Sequence, residues 1–454
     1  MATTVPADQT VALPRVITRR RALRSVAAGA EETASSVRAV PGWEWGLAVV
    51  TLFMLSRTSV LFYRERIADL IGAPSAFPMW LNDTAVRVSL LVALGSIYIL
   101  AARRCDHRDL LREPLLLAFL LICVASISWS IEPVVSVWRV TIFVGTAVMG
   151  FYLGTRYTAR ELVGIVGAAC AIGAIMSLIA AVVWPGVARY TNRLPGHWSG
   201  VYLNRNLLGI VMVTGLLTLP FLWATLPRNR RPALIAIGLI ELFLMNRAGG
   251  PRTSQLGLLA AAAVGLALVA VRRATTRSLK PFGGAFAVGL VTGYIGLIVQ
   301  WNWETIVHWL GRRMNLSKRT LIWSVDSRFS DLQPWKGWGF EALWSHPPAV
   351  STFQALTKTF PYSSHSGYYE VLLSTGRIGV GVFVAFLVVA AWRAFRFAWD
   401  GLDSASIWPL TYLVFAAVAN ASESLFVSGE AVWALTVAAA VSATRAAGRR
   451  RTLS

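Results

Sequence analysis

The feature that most constrains this chain is a recurrence of apolar runs, such as Leu115 to Val124, Leu256 to Val271 and Gly379 to Ala391, separated by short basic segments. A helix needs ~20 residues to cross the hydrocarbon of a bilayer, and a backbone in lipid has no water to bond, so such runs predict a helical membrane bundle. Composition agrees: of 454 residues, 56% are hydrophobic and 14% charged, too few to clothe a soluble protein of this size. Spans are expected near 44–63, 81–101, 113–129, 134–154, 161–184 and 206–225, then near 232–246, 253–271, 283–301, 377–397, 406–422 and 428–444. The expected fold class is therefore all-α, a polytopic membrane helical bundle of about twelve transmembrane helices with a long extracytoplasmic loop between the ninth and tenth.

Charge gives this count an independent check. With the N-terminus in the cytoplasm, the inner segments receive Arg103, Arg104, Arg108 and Arg112, then Arg156 and Arg160, Arg228 to Arg231, Arg272 to Lys280, and Arg393 and Arg396. The C-terminal cluster Arg449, Arg450, Arg451 also falls inside, as the positive-inside rule requires. The net charge of +21 is thus partly a topology signal. Its dispersal over short loops argues against a nucleic-acid partner. The chain divides into a disordered basic cytoplasmic tail (1–43), spans one to nine (44–301), an extracytoplasmic loop with amphipathic helices (302–376), spans ten to twelve (377–444) and a basic cytoplasmic tail (445–454). The first tail has no apolar run before Pro41 and reads as a segment touching anionic lipid, not a signal. Cys105, Cys123 and Cys170 offer neither a disulfide framework nor a metal cluster, and no metal or cofactor is expected.

Some arginines break the charge rule. Arg189, Arg193 and Arg205 precede the sixth span, Arg247 and Arg252 the eighth, and Arg312, Arg313, Lys318, Arg319 and Arg328 lie in the long loop, all on the expected outer side. Any one of them can be explained by snorkelling to lipid phosphate. Clusters at helix starts are harder to explain that way. The sixth, eighth and tenth spans point their N-termini outward, and such ends carry free N–H donors and about half a positive charge. Asn204-Arg205-Asn206, Gly249-Gly250-Pro251-Arg252-Thr253-Ser254 and His365-Ser366 stand at those starts. An outward-facing site for an anion such as a diphosphate follows, with arginine forks for its oxygens. The long outer segment is rich in tryptophan, Trp338 among them in the turn Gly337-Trp338-Gly339-Phe340. Tryptophan anchors at interfaces and stacks on sugar rings. Glu304 to Val325 reads as an amphipathic helix or helix pair lying on the membrane.

These residues resemble the O-antigen ligase and polymerase superfamily of bacterial envelope glycosyltransferases. His365-Ser366, nine residues, then Gly376-Arg377-Ile378-Gly379 fit that family's His-[Asn/Ser/Gln]-x9-Gly-x-x-Gly signature. Ser128-Trp129-Ser130 with Pro133 and Arg139, Arg193-Leu194-Pro195-Gly196 with Asn206-Leu207-Leu208-Gly209, Arg252-Thr253-Ser254, and Arg319-Thr320-Leu321-Ile322-Trp323 before Gly337-Trp338-Gly339-Phe340 follow in the family's order. The resemblance covers roughly Ser126 to Gly379. It implies a bundle like those of membrane-embedded (GT-C-like) glycosyltransferases and a metal-independent transfer of a glycan from a polyprenyl-diphosphate carrier to a hydroxyl of a glycolipid or cell-wall glycan, on the outer face of the cytoplasmic membrane.

Under that resemblance Arg193 and Arg252 hold the diphosphate, and His365 orients the acceptor hydroxyl or takes its proton. Arg319, Asn206, Arg205, Trp338 and Ser366 are the expected substrate contacts. Alternatives remain at several positions. His365 has a purely loop-bonding reading, and Arg319 a structural one with Glu304, Asp326 or Asp331 as partner. Glu423, Glu430 and Glu370 are further candidates for the base. A polymerase joining lipid-linked repeat units uses the same chemistry, and a transporter or flippase of an anionic lipid-linked substrate is the reading from another class.

Overall fold

The computed structural model describes residues 41–56, 94–98, 101–102, 107–190, 195–202, 204–274, 283–284, 289, 319–357, 363–401, 403–427 and 430–451. Residues up to Gly46 form one unit and the chain from Leu47 another. The expected second and ninth spans and most of the 304–325 amphipathic segment lie outside the described residues.

The described residues are helical, without a named strand. In order they are α1 (Gly42–Leu55), α2 (Pro114–Ala125), α3 (Pro133–Arg156), α4 (Ala159–Val183), α5 (Arg205–Leu216) continued by α6 (Leu219–Thr225), and α7 (Arg231–Arg247). There follow α8 (Arg252–Ala274), α9 (Arg319–Leu332), α10 (Pro347–Thr357), α11 (Gly367–Asp400), α12 (Trp408–Asn420) and α13 (Ala431–Arg451). Among the described residues five helices are long and apolar enough to cross a membrane: α3, α4, α5 with α6, α8 and α11. Local signals set several starts. Prolines open α2 and α3, where a missing N–H costs nothing. Thr158 and Glu161 close a reciprocal capping box on α4. The Asn204 carboxamide oxygen accepts the Leu207 N–H at 3.0 Å and caps α5.

An aromatic cluster ties α2, α3, α11 and α13 together. Phe143 stacks on Trp433 with centroids 4.8 Å apart, and Phe119 lies 4.9 Å from Phe383; all four side chains are buried. Alongside, α3 and α13 approach until a Cβ on Gly154 would come within 2.7 Å of the Ala438 carbonyl oxygen. Such small-residue contacts let apolar helices gain dispersion where water gives no driving force. Further along, α12 packs on α8, and α7 lies against α4 and α5.

At one end of the bundle basic side chains are satisfied by helix ends. Arg272 donates to the carbonyls of Ala398 and Gly401 at 2.8 and 2.6 Å, capping the C-terminus of α11. Arg393 pairs with Glu113 at 2.8 Å.

The tenth apolar run is where the fold departs most from expectation. Its helix, α11, begins at Gly367 and not near 377, so residues expected in the loop are helical. The helix breaks at Gly376, whose φ of 66° and ψ of −167° suit only a residue without Cβ. The break frees the Leu373 and Ser374 carbonyls, which accept from the Trp338 and Gly339 N–H groups at 2.7 and 3.1 Å. Arg377, deprived of a helical acceptor, donates its N–H to Pro334 at 2.8 Å. The Gly337–Phe340 turn thus fills the kink. It has the expected tight form, with positive φ at Gly337 and Gly339. Its other side bonds to the start of α3: Trp129 Nε1 donates to Lys336 O at 2.9 Å, Ser136 Oγ to Phe340 O at 2.9 Å, and Phe340 N to Ser126 Oγ at 3.1 Å. Above the kink, α9, α10 and the head of α11 share an apolar core of Ile322, Val325, Leu343, Phe353 and Leu373.

Candidate functional site

Four helix starts, those of α5, α8, α9 and α11, meet at one turn. The turn is Asn420–Ser424, which follows α12. Its Glu423 carboxylate accepts the Asn206 amide at 2.8 Å from the first turn of α5 and the Arg319 guanidinium at 2.7 Å from the start of α9. The backbone carbonyl of Glu423 accepts the Gly367 N–H at 3.1 Å, at the start of α11. Ser422 Oγ shares a 2.6 Å hydrogen bond with Thr253 Oγ1, in the first turn of α8. The starts of α5, α8 and α11 were the three that the sequence expects to face one anion, and a single turn holds them together.

The Arg319–Glu423 pair is largely enclosed, its side chains 18% and 13% exposed. Arg319 therefore finds a carboxylate, but none of the three expected ones. Burial pushes the Glu423 carboxyl above its usual range, and Arg319 opposes that push. His365 stands immediately before α11 with a φ of 50°, a left-handed conformation that strains a residue with a Cβ. Burial first, and then the charge of Arg319, lower its imidazole from 6.5 to about 4. At neutral pH the ring is uncharged, so one of its two nitrogens carries no proton. Ser366 is buried at the N-cap of α11 without a side-chain capping bond.

Beneath His365 lies an acidic pocket. Glu370 accepts the Ser364 N–H at 2.6 Å, Ser424 Oγ at 3.2 Å and Trp344 Nε1 at 2.8 Å. Asp326 on α9 is fully buried, with the Ser364 hydroxyl as its one nearby hydrogen-bonding side chain among the described residues. Burial, and then the nearby Glu370, push Asp326 up to about 8, so it is mostly protonated at neutral pH. Trp323 donates to Ser364 O at 3.0 Å and stacks on Tyr369, fixing α9 against α11.

Arg252 opens α8 next to Thr253. It is partly buried and pairs with no acid among the described residues. Arg205 lies over the turn between α7 and α8, where a Cβ on Gly249 would come within 3.0 Å of its guanidinium; the φ of 79° there also requires glycine. Arg193 lies outside the described residues. Trp338 is not brought to the junction. Its indole N–H donates to Phe329 O at 3.0 Å and its ring packs edge-on against Phe329 in the core above the kink. The expected sugar-stacking tryptophan is thus part of the scaffold, because the turn that carries it is needed to fill the break in α11.

Sequence reasoning names Glu423 as a candidate base and misses it as the hub. The pair spans 104 residues, and no local pattern marks it. Thr253 and Ser422 were missed as a link for the same reason. Asp326 carried one signal, an acid among apolar residues on the inner face of an amphipathic helix. Arg139, whose partner no sequence pattern names, lies 3.3 Å from Glu341.

Chemically, the junction offers Arg252 without an acid partner among the described residues, a neutral imidazole beside a paired arginine, and a carboxyl, Asp326, held mostly protonated by burial. No family model matches the chain, and no curated protein is similar to it.

Proposed function

We propose that this chain is a twelve-span glycosyltransferase of the O-antigen ligase and polymerase type in a bacterial cytoplasmic membrane. Both termini lie in the cytoplasm and the α5–α8–α11 junction faces outward. The donor is a glycan on a polyprenyl diphosphate, and the acceptor is a hydroxyl of a glycolipid or cell-wall glycan.

In the reaction an acceptor oxygen attacks C1 of the donor sugar. The new C1–O bond forms as the bond from C1 to the diphosphate oxygen breaks, and that oxygen departs with the electron pair. Arg252 and Arg193 meet the growing negative charge, a role in which a positioned donor is worth about 10²–10³ in rate. The hydroxyl proton passes to His365. Burial, and then the charge of Arg319, keep the imidazole's proton affinity low. A bound diphosphate offsets that charge and raises the affinity, so the base strengthens when the donor is present. Glu423 keeps Arg319 beside the ring. Because the leaving group brings its own charge, arginines take the place of a divalent ion.

The observation that carries the reading is the meeting of four helix starts at one turn, with Arg252 left without an acid partner among the described residues. Deleting the gene in its host tests it. Accumulation of long carrier-linked chains supports a ligase, and accumulation of single carrier-linked repeats supports a polymerase. An unchanged pool of lipid-linked glycans would refute both.

A further inference from the structure

A second cationic feature stands apart from the junction contacts. The segment after α4 folds back on itself: Arg189 bridges to Trp198, Tyr190 N donates to His197 O at 2.8 Å, and Ser199 N donates to Ala188 O at 2.9 Å. Trp198 N then donates to the carbonyl of Arg247, the last residue of α7, at 2.7 Å. This brings two guanidiniums onto one indole. The Arg189 and Arg247 Cζ atoms lie 4.7 and 4.8 Å from the Trp198 ring.

Two like charges held on one ring repel each other, and neither arginine has a carboxylate partner among the described residues. Nε of Arg189, Nε of Arg247 and Nε1 of Trp198 are all buried without an acceptor there. Stacking restricts both forks, so they are arranged before any ligand arrives. By contrast, a snorkelling arginine is free to move. The surroundings are apolar. Val182, Val183 and Trp184 at the end of α4 are exposed, as are Leu239 and Leu242 on α7. Phe243, also exposed, packs edge-on against Trp198 with centroids 5.6 Å apart.

We propose that the Arg189–Trp198–Arg247 stack is a binding site for the doubly charged phosphomonoester headgroup of a membrane lipid, with the acyl or prenyl chains lying along the exposed ends of α4 and α7. Two forks match two charges and several oxygens; a phosphodiester offers one charge and a carboxylate offers fewer oxygens. The site rests on the membrane placement of the chain and not on glycosyl transfer. Its test needs no turnover.

The full chain is placed in phosphatidylcholine nanodiscs doped with equal small amounts of phosphatidic acid and phosphatidylglycerol, and the lipids retained after mild detergent extraction are counted by native mass spectrometry. Wild type is expected to retain phosphatidic acid at least about fivefold over phosphatidylglycerol, a margin of roughly one kcal/mol. In Arg189→Gln/Arg247→Gln this preference disappears, and Arg189→Lys/Arg247→Lys, which keeps charge without the fork, falls between. Wild type without the preference, or a monodisperse double variant that keeps it, would overturn the site. Displacement of phosphatidic acid by millimolar inorganic phosphate would overturn the lipid assignment in favour of free phosphate.

Discussion

Two regions beside α11 use its polar groups in opposite ways. Around the Gly376 kink the polar atoms find partners: the freed carbonyls of Leu373 and Ser374 take N–H groups from the Gly337–Phe340 turn, and Trp129, Ser126 and Ser136 bond its far side. At the Asn420–Ser424 junction, one helical stretch away, satisfaction is incomplete. Among the described residues Oγ of Ser254 and Nδ2 of Asn420 are buried without partners, and buried Asp326 has only the Ser364 hydroxyl within reach. An unsatisfied buried polar atom costs about 1–3 kcal/mol. Among the described residues other buried atoms without partners, such as Glu241 Oε2, Trp408 Nε1 and Trp433 Nε1, lie within the bundle, so the contrast is between the junction and the kink alone. Arg252 and His365 belong to the junction; a φ of 50° occurs in both regions, at His365 and at Glu341 beside the turn.

This contrast is open to attack by mutation. The largest effect is expected from Arg252→Ala, with transfer reduced about 10²–10³-fold and membrane insertion unchanged. Near-normal turnover in correctly inserted protein would remove Arg252 from the site. His365→Ala follows, with a loss of about 10²-fold, and pH profiles add a sharper check. With the free imidazole near 4, the acidic limb of kcat/KM should lie well below pH 6. In Arg319→Gln the opposing charge is gone, so the limb should move to higher pH. A limb that stays in place, or moves to lower pH, contradicts the assigned base.

Asp326 gives a smaller and purely thermodynamic effect. Its pKa is raised on folding from 3.8 to about 8, so the folded state binds more protons between those values. Stability from this group is present in full below about pH 4 and is lost as pH rises through about 8. Thermal unfolding in detergent should show Asp326→Asn less sensitive than wild type to a change from pH 6 to pH 9. Equal sensitivity would mean that Asp326 is ionised in the fold. The smallest effect belongs to the scaffold: Trp338→Phe loses one hydrogen bond, worth about 1 kcal/mol, and lowers stability while turnover per folded molecule holds. A drop in turnover at full stability would return Trp338 to the substrate site.

How much of this was legible depended on range. Apolar runs placed α3, α4 and α8 within a few residues, because length and hydropathy are local properties. The even spacing of spans put the starts of α5, α8 and α11 on one side, and they do meet. The head of α11 was read as loop because Tyr368, Tyr369, Glu370 and Ser374 lack an apolar pattern. Tyr368 and Glu370 are held by Ala417, Ser364, Ser424 and Trp344, which are distant or lie beyond the helix. Arg319 was given local acids as partners, whereas its carboxylate lies on the far side of two apolar runs. The expectation for Trp338 rests on residue type alone, and an indole can serve a sugar or a kink; its contacts with Phe329 show the second use.

The most direct test of the central claim is transfer itself. Purified protein in nanodiscs is given a polyprenyl-diphosphate glycan and a set of glycolipid and cell-wall acceptors, with chelator present, and glycosylated acceptor and freed carrier diphosphate are measured together. The account predicts equal amounts of both from wild type and about 10²–10³-fold less of each from Arg252→Ala. No transfer to any acceptor by intact wild type, together with movement of the intact donor across sealed vesicles, would contradict it.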